Sequence, residues 1–197
     1  MKVGILTVSD KGFAGQRQDL SGVVIEKLVK KTLKAGTIAY AIVPDEKDII
    51  SDKIIELVDD KKCSLVLTTG GTGLGLRDVT PEATLKVIEK LVPGIPEAIR
   101  QSTREKTSFA ILSRMVCGTR KKSLILNLPG SPRAVKECLL IVLDVIPHAL
   151  DILEKGSLEC GKIISKRRPC SSRAEAIKLG ATKPVAKRRS MLAARVN

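Results

Sequence analysis

The sequence predicts an α/β protein, a three-layer α/β/α sandwich on a mixed, mostly parallel sheet. Three observations carry that expectation. Hydrophobic residues make up 43% of the chain but aromatics only 2%, so the core must come from Val, Ile, Leu and Ala, a diet that suits strands buried on both faces. Short β-branched runs alternate with segments of helical apolar spacing. Glycine-containing turns follow two of the most apolar runs, at the edge where open parallel sheets bind ligands.

Taken in order, residues 2–8 read as a buried strand, and residues 9–19 as a polar loop. Val23, Val24, Leu28 and Val29 recur at helical spacing and mark a helix that Ser21 would cap and Gly36 would end. Thr37–Val43 is the second strand. Pro44-Asp45 then turns the chain into a helix with Ile50, Ile54, Leu57 and Val58 on its inner face. Residues 64–68 and 123–128 are the next strands. Thr80-Pro81 and Ser131-Pro132 each set a hydroxyl cap before a proline at a helix start. Helices are expected over residues 96–105 and from Pro132, the latter broken near Pro147.

Beyond Gly156 the apolar periodicity fails. One domain is expected over residues 1–156, and a basic, weakly ordered extension over residues 157–197. From Gly161 onward eleven lysines and arginines face Glu175 alone, so ten of the fourteen net positive charges lie there and say little about the domain.

Several function classes fall away. No apolar run is long enough to span a bilayer, and the chain opens on a strand with no signal-peptide pattern, so a cytoplasmic protein without membrane attachment is expected. Five cysteines, an odd number with no Cys-x-x-Cys pair, argue against a disulfide framework and against zinc. His148, the sole histidine, lies in an apolar helical stretch without a partner nearby in sequence and reads as structural. Phe13, Tyr40 and Phe109 are too few aromatics to stack bases, which leaves a nucleic-acid-binding role for the basic extension as a remote alternative.

The strongest local signal is Thr69-Gly70-Gly71-Thr72-Gly73 with Gly75, directly after a strand. Glycines there let the backbone approach a ligand, and open N–H groups can cradle an anion. The spacing is neither a Walker loop nor Gly-x-Gly-x-x-Gly. Asp78 follows in the loop before the next helix. On spacing alone it fits equally a carboxylate that holds Mg²⁺ beside phosphates and a solvated residue supporting the helix. Asp45, after a proline and before a helix, fits a cap better than a catalytic group. Pro129-Gly130-Ser131-Pro132 opens another helix at the same edge, and Arg133 in its first turn opposes the helix dipole in a way that suits an anionic ligand.

As an ordered set, Ser9-Asp10-Lys11-Gly12, Asp19-Leu20-Ser21-Gly22, Pro44-Asp45, the glycine loop, Arg77-Asp78-Val79-Thr80-Pro81-Glu82-Ala83, Pro93-Gly94, Leu112-Ser113-Arg114 and Leu128-Pro129-Gly130-Ser131-Pro132 resemble the molybdopterin-binding family of molybdenum cofactor synthesis. Within it they resemble the molybdopterin adenylyltransferase branch, over roughly residues 2–155.

The resemblance implies nucleotidyl transfer: AMP from ATP is joined to the terminal phosphate of molybdopterin and pyrophosphate leaves. It implies a molybdopterin and ATP pocket formed by Ser9, Asp10, Thr69, Gly70, Gly71, Thr72, Gly73, Pro129, Gly130, Ser131 and Arg133. Asp45 and Asp78 match aspartates tied to catalysis and would position Mg²⁺. Ser113 matches a serine that helps hold the substrate. A homotrimer is implied, with other cofactor-synthesis enzymes as partners. Leu20 departs from the family pattern where a basic residue is common, and Cys117 where alanine is frequent. The alternative is a paralogue that binds or carries molybdopterin without turning it over; retention of both aspartates argues for the enzyme.

Overall fold

The strand β1 (Lys2–Val8), buried from Val3 onward, is an interior strand of the sheet in the computed structural model, which describes residues 1–156. It pairs in parallel with β2 (Thr37–Val43) on one side and β3 (Leu65–Thr69) on the other. β6 (Ser123–Leu128) lies parallel to β3, and β5 (Cys117–Arg120) and β4 (Lys90–Leu91) complete that side through antiparallel pairings. The sheet order is β2-β1-β3-β6-β5-β4, mixed and mostly parallel. The chain first adds β2 to one edge of β1 and then β3 to the other. That reversal opens a crevice outside the carboxyl ends of β1 and β3.

Neighbouring residues along the central strands point to opposite faces. Ile5, Leu67 and Leu126 pack into one cluster, with α2 (Leu20–Leu33), α5 (Gly94–Arg104), α6 (Pro132–Val142) and α7 (Ile146–Lys155). Leu6, Val66 and Ile125 pack into the other, with α3 (Lys47–Ile55), a π-helical turn over Glu56–Asp60 and α4 (Thr80–Val87). These six side chains are fully buried. A one-residue slip would send each to the wrong layer, at about 1.5–3 kcal/mol for every side chain left exposed. Cys63, Cys117 and Cys138 are buried and unpaired in the same interior.

The strands over residues 2–8, 37–43 and 123–128 have the expected bounds, and β3 is shifted by one residue to take in Thr69. The break near Pro147 falls between α6 and α7, and Ser131 caps α6 by accepting the Ala134 N–H at 3.2 Å. Several local expectations are corrected. Residues 9–19 contain a helical turn, α1 (Asp10–Phe13), closed by the Gly12 N–H donating to Ser9 Oγ at 3.1 Å. Asp19, not Ser21, caps α2: its Oδ1 accepts the N–H groups of Ser21 and Gly22, both at 2.9 Å. A carboxylate there also meets the positive end of the helix dipole. Lys34, left-handed at φ 51°, ends α2 ahead of Gly36. Val23 faces outward, and Ile25 takes the buried position. Thr80 is the first residue of α4 rather than its cap. The edge strand β4 and its neighbour β5 are short and lack a β-branched run, so they escape a reading by pattern. The basic extension over residues 157–197 lies outside the described residues.

Candidate functional site

Strand register brings distant segments to one edge. Thr69 lies opposite both Thr7 and Leu128, and Val8 lies opposite Val43. Residues 9–10, 44–45, 70–73 and 129–131 therefore leave the sheet side by side. Two side-chain bonds tie them further: Thr69 Oγ1 donates to the Pro129 carbonyl at 2.7 Å, and Ser21 Oγ donates to the Gly130 carbonyl at 2.8 Å.

The glycine loop is held close to its neighbours. Gly70 has φ +100°, and a Cβ there would stand 2.2 Å from the Val8 carbonyl oxygen. Gly71 has φ +61°, and a Cβ would lie 2.4 Å from Thr80 Oγ1 and 3.3 Å from Asp45 Oδ1. Only glycine meets both demands, conformational and steric. Farther along, the Gly75 N–H donates to Asp78 Oδ2 at 2.8 Å and the Asp78 N–H returns to the Gly75 carbonyl at 3.0 Å. The N–H groups of Gly71, Thr72, Gly73 and Leu74 have no acceptor among the described residues. Consecutive open amides lining a crevice form an anion-binding nest.

Charged groups gather beside the loop. Arg77 bonds both oxygens of Asp10, at 3.0 to 3.2 Å, and pairs with Glu46 at 2.6 Å. The Arg77 hydrogen bond, with the Asp45 N–H, holds the Asp10 carboxyl below the usual range. Asp45 is shifted the other way. Burial pushes its carboxyl up, and the charges of Asp10 and Asp78 add to that, against the Asp10 N–H and Arg77. Asp45 makes no capping bond; the cap position of α3 is Glu46. Burial also works to raise Asp19, but hydrogen bonds from Thr7, Tyr40, Gly22 and Ser21 outweigh it and the carboxyl lies low.

Two clefts flank the loop and share Gly130. The first, about 180 Å³, mixes the polar Ser9, Arg17, Gln18, Asp19, Ser21 and Thr69 with Val8, Leu20, Gly70 and Pro132. The second, about 550 Å³, has Gly71, Thr72, Gly73, Asp78 and Ser113 with the apolar Leu74, Phe109, Leu112 and Pro129. The structure thus brings the glycine loop, Ser9, Asp78, Ser113, Pro129 and Gly130 onto cleft walls. Asp10 and Asp45 line neither cleft and belong to the charged cluster beside the loop. Ser131 spends its hydroxyl on the α6 cap. Arg133 is exposed, pairs with Glu137 at 3.2 Å and lines neither cleft. The Ser113 hydroxyl oxygen is buried without a hydrogen-bond partner among the described residues, on the wall of the second cleft. An unsatisfied buried hydroxyl costs stability, which a ligand donor or acceptor would offset.

No group of three or more His, Cys, Asp or Glu is placed to hold a metal ion among the described residues. Asp45 and Asp78 are near enough for the charge of one to raise the carboxyl of the other. Mg²⁺ is commonly held by one or two carboxylates together with water and substrate phosphates. This donor set fits an ion that arrives with a nucleotide. Nucleophile–base pairs are absent from the two clefts, and the arrangement suits transfer chemistry by positioning and charge neutralisation.

Sequence reasoning missed Arg77, Arg114, Asp19 and the apolar wall of Phe109 and Leu112 as parts of the site. Each lies inside or beside a motif that the sequence displays, but their partners are remote in sequence. Arg114, for example, reaches Gly73 across 41 positions.

The probable molybdopterin binding domain, a family of molybdenum cofactor biosynthesis, matches residues 4–148. The chain is 44% identical over 152 residues to a molybdopterin adenylyltransferase of Helicobacter pylori strain J99, covering 77% of this chain and 86% of the relative. It is 37% identical over 187 residues to a molybdopterin adenylyltransferase of Escherichia coli K12, covering 88% and 96%. The crystal structure of the molybdopterin biosynthesis enzyme MoaB of Thermus thermophilus superposes with a TM-score of 0.74 at 46% identity, over 78% of this chain and 96% of that one.

Proposed function

The chain belongs to the molybdopterin-binding family, and on that premise we propose that it is a molybdopterin adenylyltransferase of molybdenum cofactor biosynthesis. It transfers AMP from ATP to the terminal phosphate of molybdopterin and releases pyrophosphate. The observation that carries this reading is the run of open amides from Gly71 to Leu74, set between two clefts of different character. Two phosphorylated substrates that must meet at one phosphorus call for two compartments joined at a phosphate cradle.

The chain's own groups then have distinct work. The loop N–H groups take phosphate oxygens and hold the reacting phosphates in line, which replaces solvent reorganisation with fixed dipoles. Ser113, with its buried open hydroxyl, engages the pterin end across the second cleft. Leu74, Phe109 and Leu112, exposed on the single chain, offer the pterin an apolar face there. Asp45 and Asp78 would hold Mg²⁺, which supplies neutralisation of phosphate charge when bound. Phosphoryl chemistry of this type needs no covalent enzyme intermediate, and the site contains no histidine.

A homotrimer belongs to the same reading: apolar side chains exposed on the single chain, such as Phe109 and Ile111, would gain cover in it. Partner enzymes of cofactor synthesis and a cytoplasmic place of action complete it. No described helix is long and apolar enough to cross a membrane.

The test is incubation with molybdopterin, ATP and Mg²⁺ and detection of adenylylated pterin and pyrophosphate by mass. Stoichiometric product supports the reading. Tight pterin binding without product would replace the enzyme by a carrier.

A further inference from the structure

We propose that Thr80 and Arg114 are positioning residues that clamp the glycine loop from behind and so set its N–H groups as a phosphate cradle. This rests on the adenylyltransferase reading of the site. Four consecutive carbonyls are held. Thr80 Oγ1 donates to the Gly70 carbonyl at 2.9 Å, and the Thr80 N–H donates to the Gly71 carbonyl at 3.1 Å. The Arg114 N–H donates to the Thr72 carbonyl at 2.9 Å, and Arg114 Nε donates to the Gly73 carbonyl at 2.7 Å. In a trans peptide the C=O of one residue and the N–H of the next point in opposite directions across a rigid plane. Holding the carbonyls of residues 70–73 therefore fixes the N–H groups of residues 71–74. Those are the four N–H groups without an acceptor.

The clamp is anchored at its own back. Thr80 is fully buried at the start of α4. The Arg114 guanidinium also pairs with Glu82 on that helix and donates to the Asp78 carbonyl at the far limb of the loop. Arg114 thus spans the loop from Gly73 to Asp78. A glycine-rich segment on its own would sample many conformers, and ordering it would weaken every phosphate contact. The clamp removes that cost before substrate arrives. Neither the Thr80 side chain nor the Arg114 side chain lines a cleft, so both act through the loop and not on the substrate.

Inorganic pyrophosphate is the probe, titrated into the full chain by calorimetry and followed at the backbone amides of residues 71–74 by NMR. In the parent these amides should shift on titration. Thr80→Val keeps the backbone N–H and the shape but loses the hydroxyl donor. It should weaken pyrophosphate binding by about tenfold, the worth of one lost hydrogen bond, and blur the amide signals before ligand is added. Thr80→Ser should restore both. Arg114→Lys keeps the charge but cannot span Gly73, Asp78 and Glu82, and turnover should fall by about a hundredfold, as for a misplaced reacting group. If Thr80→Val and Arg114→Lys bind pyrophosphate and shift as the parent does, the clamp is wrong while the site stands. If pyrophosphate leaves the amides of residues 71–74 unmoved in the parent, the cradle itself is wrong and the clamp with it.

Discussion

The Asp10 N–H donates to Asp45 Oδ2 at 2.8 Å while the Asp45 N–H donates to Asp10 Oδ1 at 3.0 Å, so the ends of two neighbouring parallel strands clasp each other through their carboxylates. The clasp fixes the direction of both groups, yet their surroundings drive them apart. Asp10 is held low by the hydrogen bond from Arg77, and Asp45 is raised by burial and by neighbouring negative charge. The ionised Asp45 is disfavoured by burial and like charge, and the Asp10 N–H and Arg77 offset this only in part. On the proposed reading, that condition suits a group kept for phosphate-bound Mg²⁺.

Asp45→Asn should therefore leave the protein at least as heat-stable as the parent at neutral pH while adenylylation falls by orders of magnitude. The sign follows from linkage. The folded state binds the Asp45 proton more tightly than the unfolded chain, so the ionised group weakens the fold above its raised folded pKa. The penalty shrinks as pH falls through that value and is gone below the ordinary aspartate pKa of about 3.9. The stability gain of the variant should shrink over the same window. Melting temperature against pH for both proteins checks it, and a variant that melts clearly lower at pH 7 would show Asp45 to be a structural clasp.

Asp78→Asn isolates charge from geometry. The amide oxygen can still accept the Gly75 N–H that Asp78 Oδ2 accepts at 2.8 Å, so the loop should keep its shape. What disappears is a negative charge on the wall of the second cleft. Turnover should drop by orders of magnitude with pterin binding largely kept, because the lost interaction acts on metal-bound phosphates in the transition state. Parental turnover in this variant would reduce Asp78 to a loop residue.

Much of this was legible in the sequence because it is local. The apolar runs of β1, β2 and β6 and the two-sided core follow from residue type and spacing, and so does the turn chemistry of Ser131-Pro132. The errors concern polar groups that have a choice of partner. Ser21 and Thr80 look like caps, but tertiary acceptors, the carbonyls of Gly130 and Gly70, take both hydroxyls. With Ser21 engaged elsewhere, Asp19 caps α2. Asp45 looks like a cap because proline and a helix flank it, yet its carboxylate turns to the Asp10 N–H at the start of α1. Spacing along one chain cannot reveal a partner 35 or 109 positions away. Arg114 was invisible as a part of the loop for the same reason.

The glycine loop gives a prediction that separates conformation from contact. Gly15 and Gly70 both have positive φ, +71° and +100°, but a Cβ at Gly15 meets nothing within 4 Å whereas one at Gly70 stands 2.2 Å from the Val8 carbonyl. Gly15→Ala should cost only the backbone penalty, about 1–2 kcal/mol. Gly70→Ala must also push β3 from β1 at the crevice and should cost about 3 kcal/mol or more. Urea unfolding of the two variants measures the difference. Equal losses would mean that the close approach of the loop to β1 is not maintained in solution.

The last prediction concerns the chain after Gly156. The two apolar clusters draw their buried members from residues 3 to 146, and α7 ends on Gly156 in a left-handed conformation at φ +74°. We propose that residues 1–156 suffice for the fold and the chemistry. Ten of the fourteen net positive charges lie from Gly161 onward, and charge of that density acts at a distance on a partner or substrate of opposite sign. A chain truncated after Gly156 should melt at the parental temperature and turn over at the parental rate at high salt. At low salt the full chain should gain in kcat/KM over the truncated one, because exposed charges are screened beyond about 8–10 Å at physiological ionic strength. If the truncated chain unfolds, or loses turnover at every salt concentration, the extension is part of the folded domain. Its charge would then be incidental to packing that the first 156 residues need.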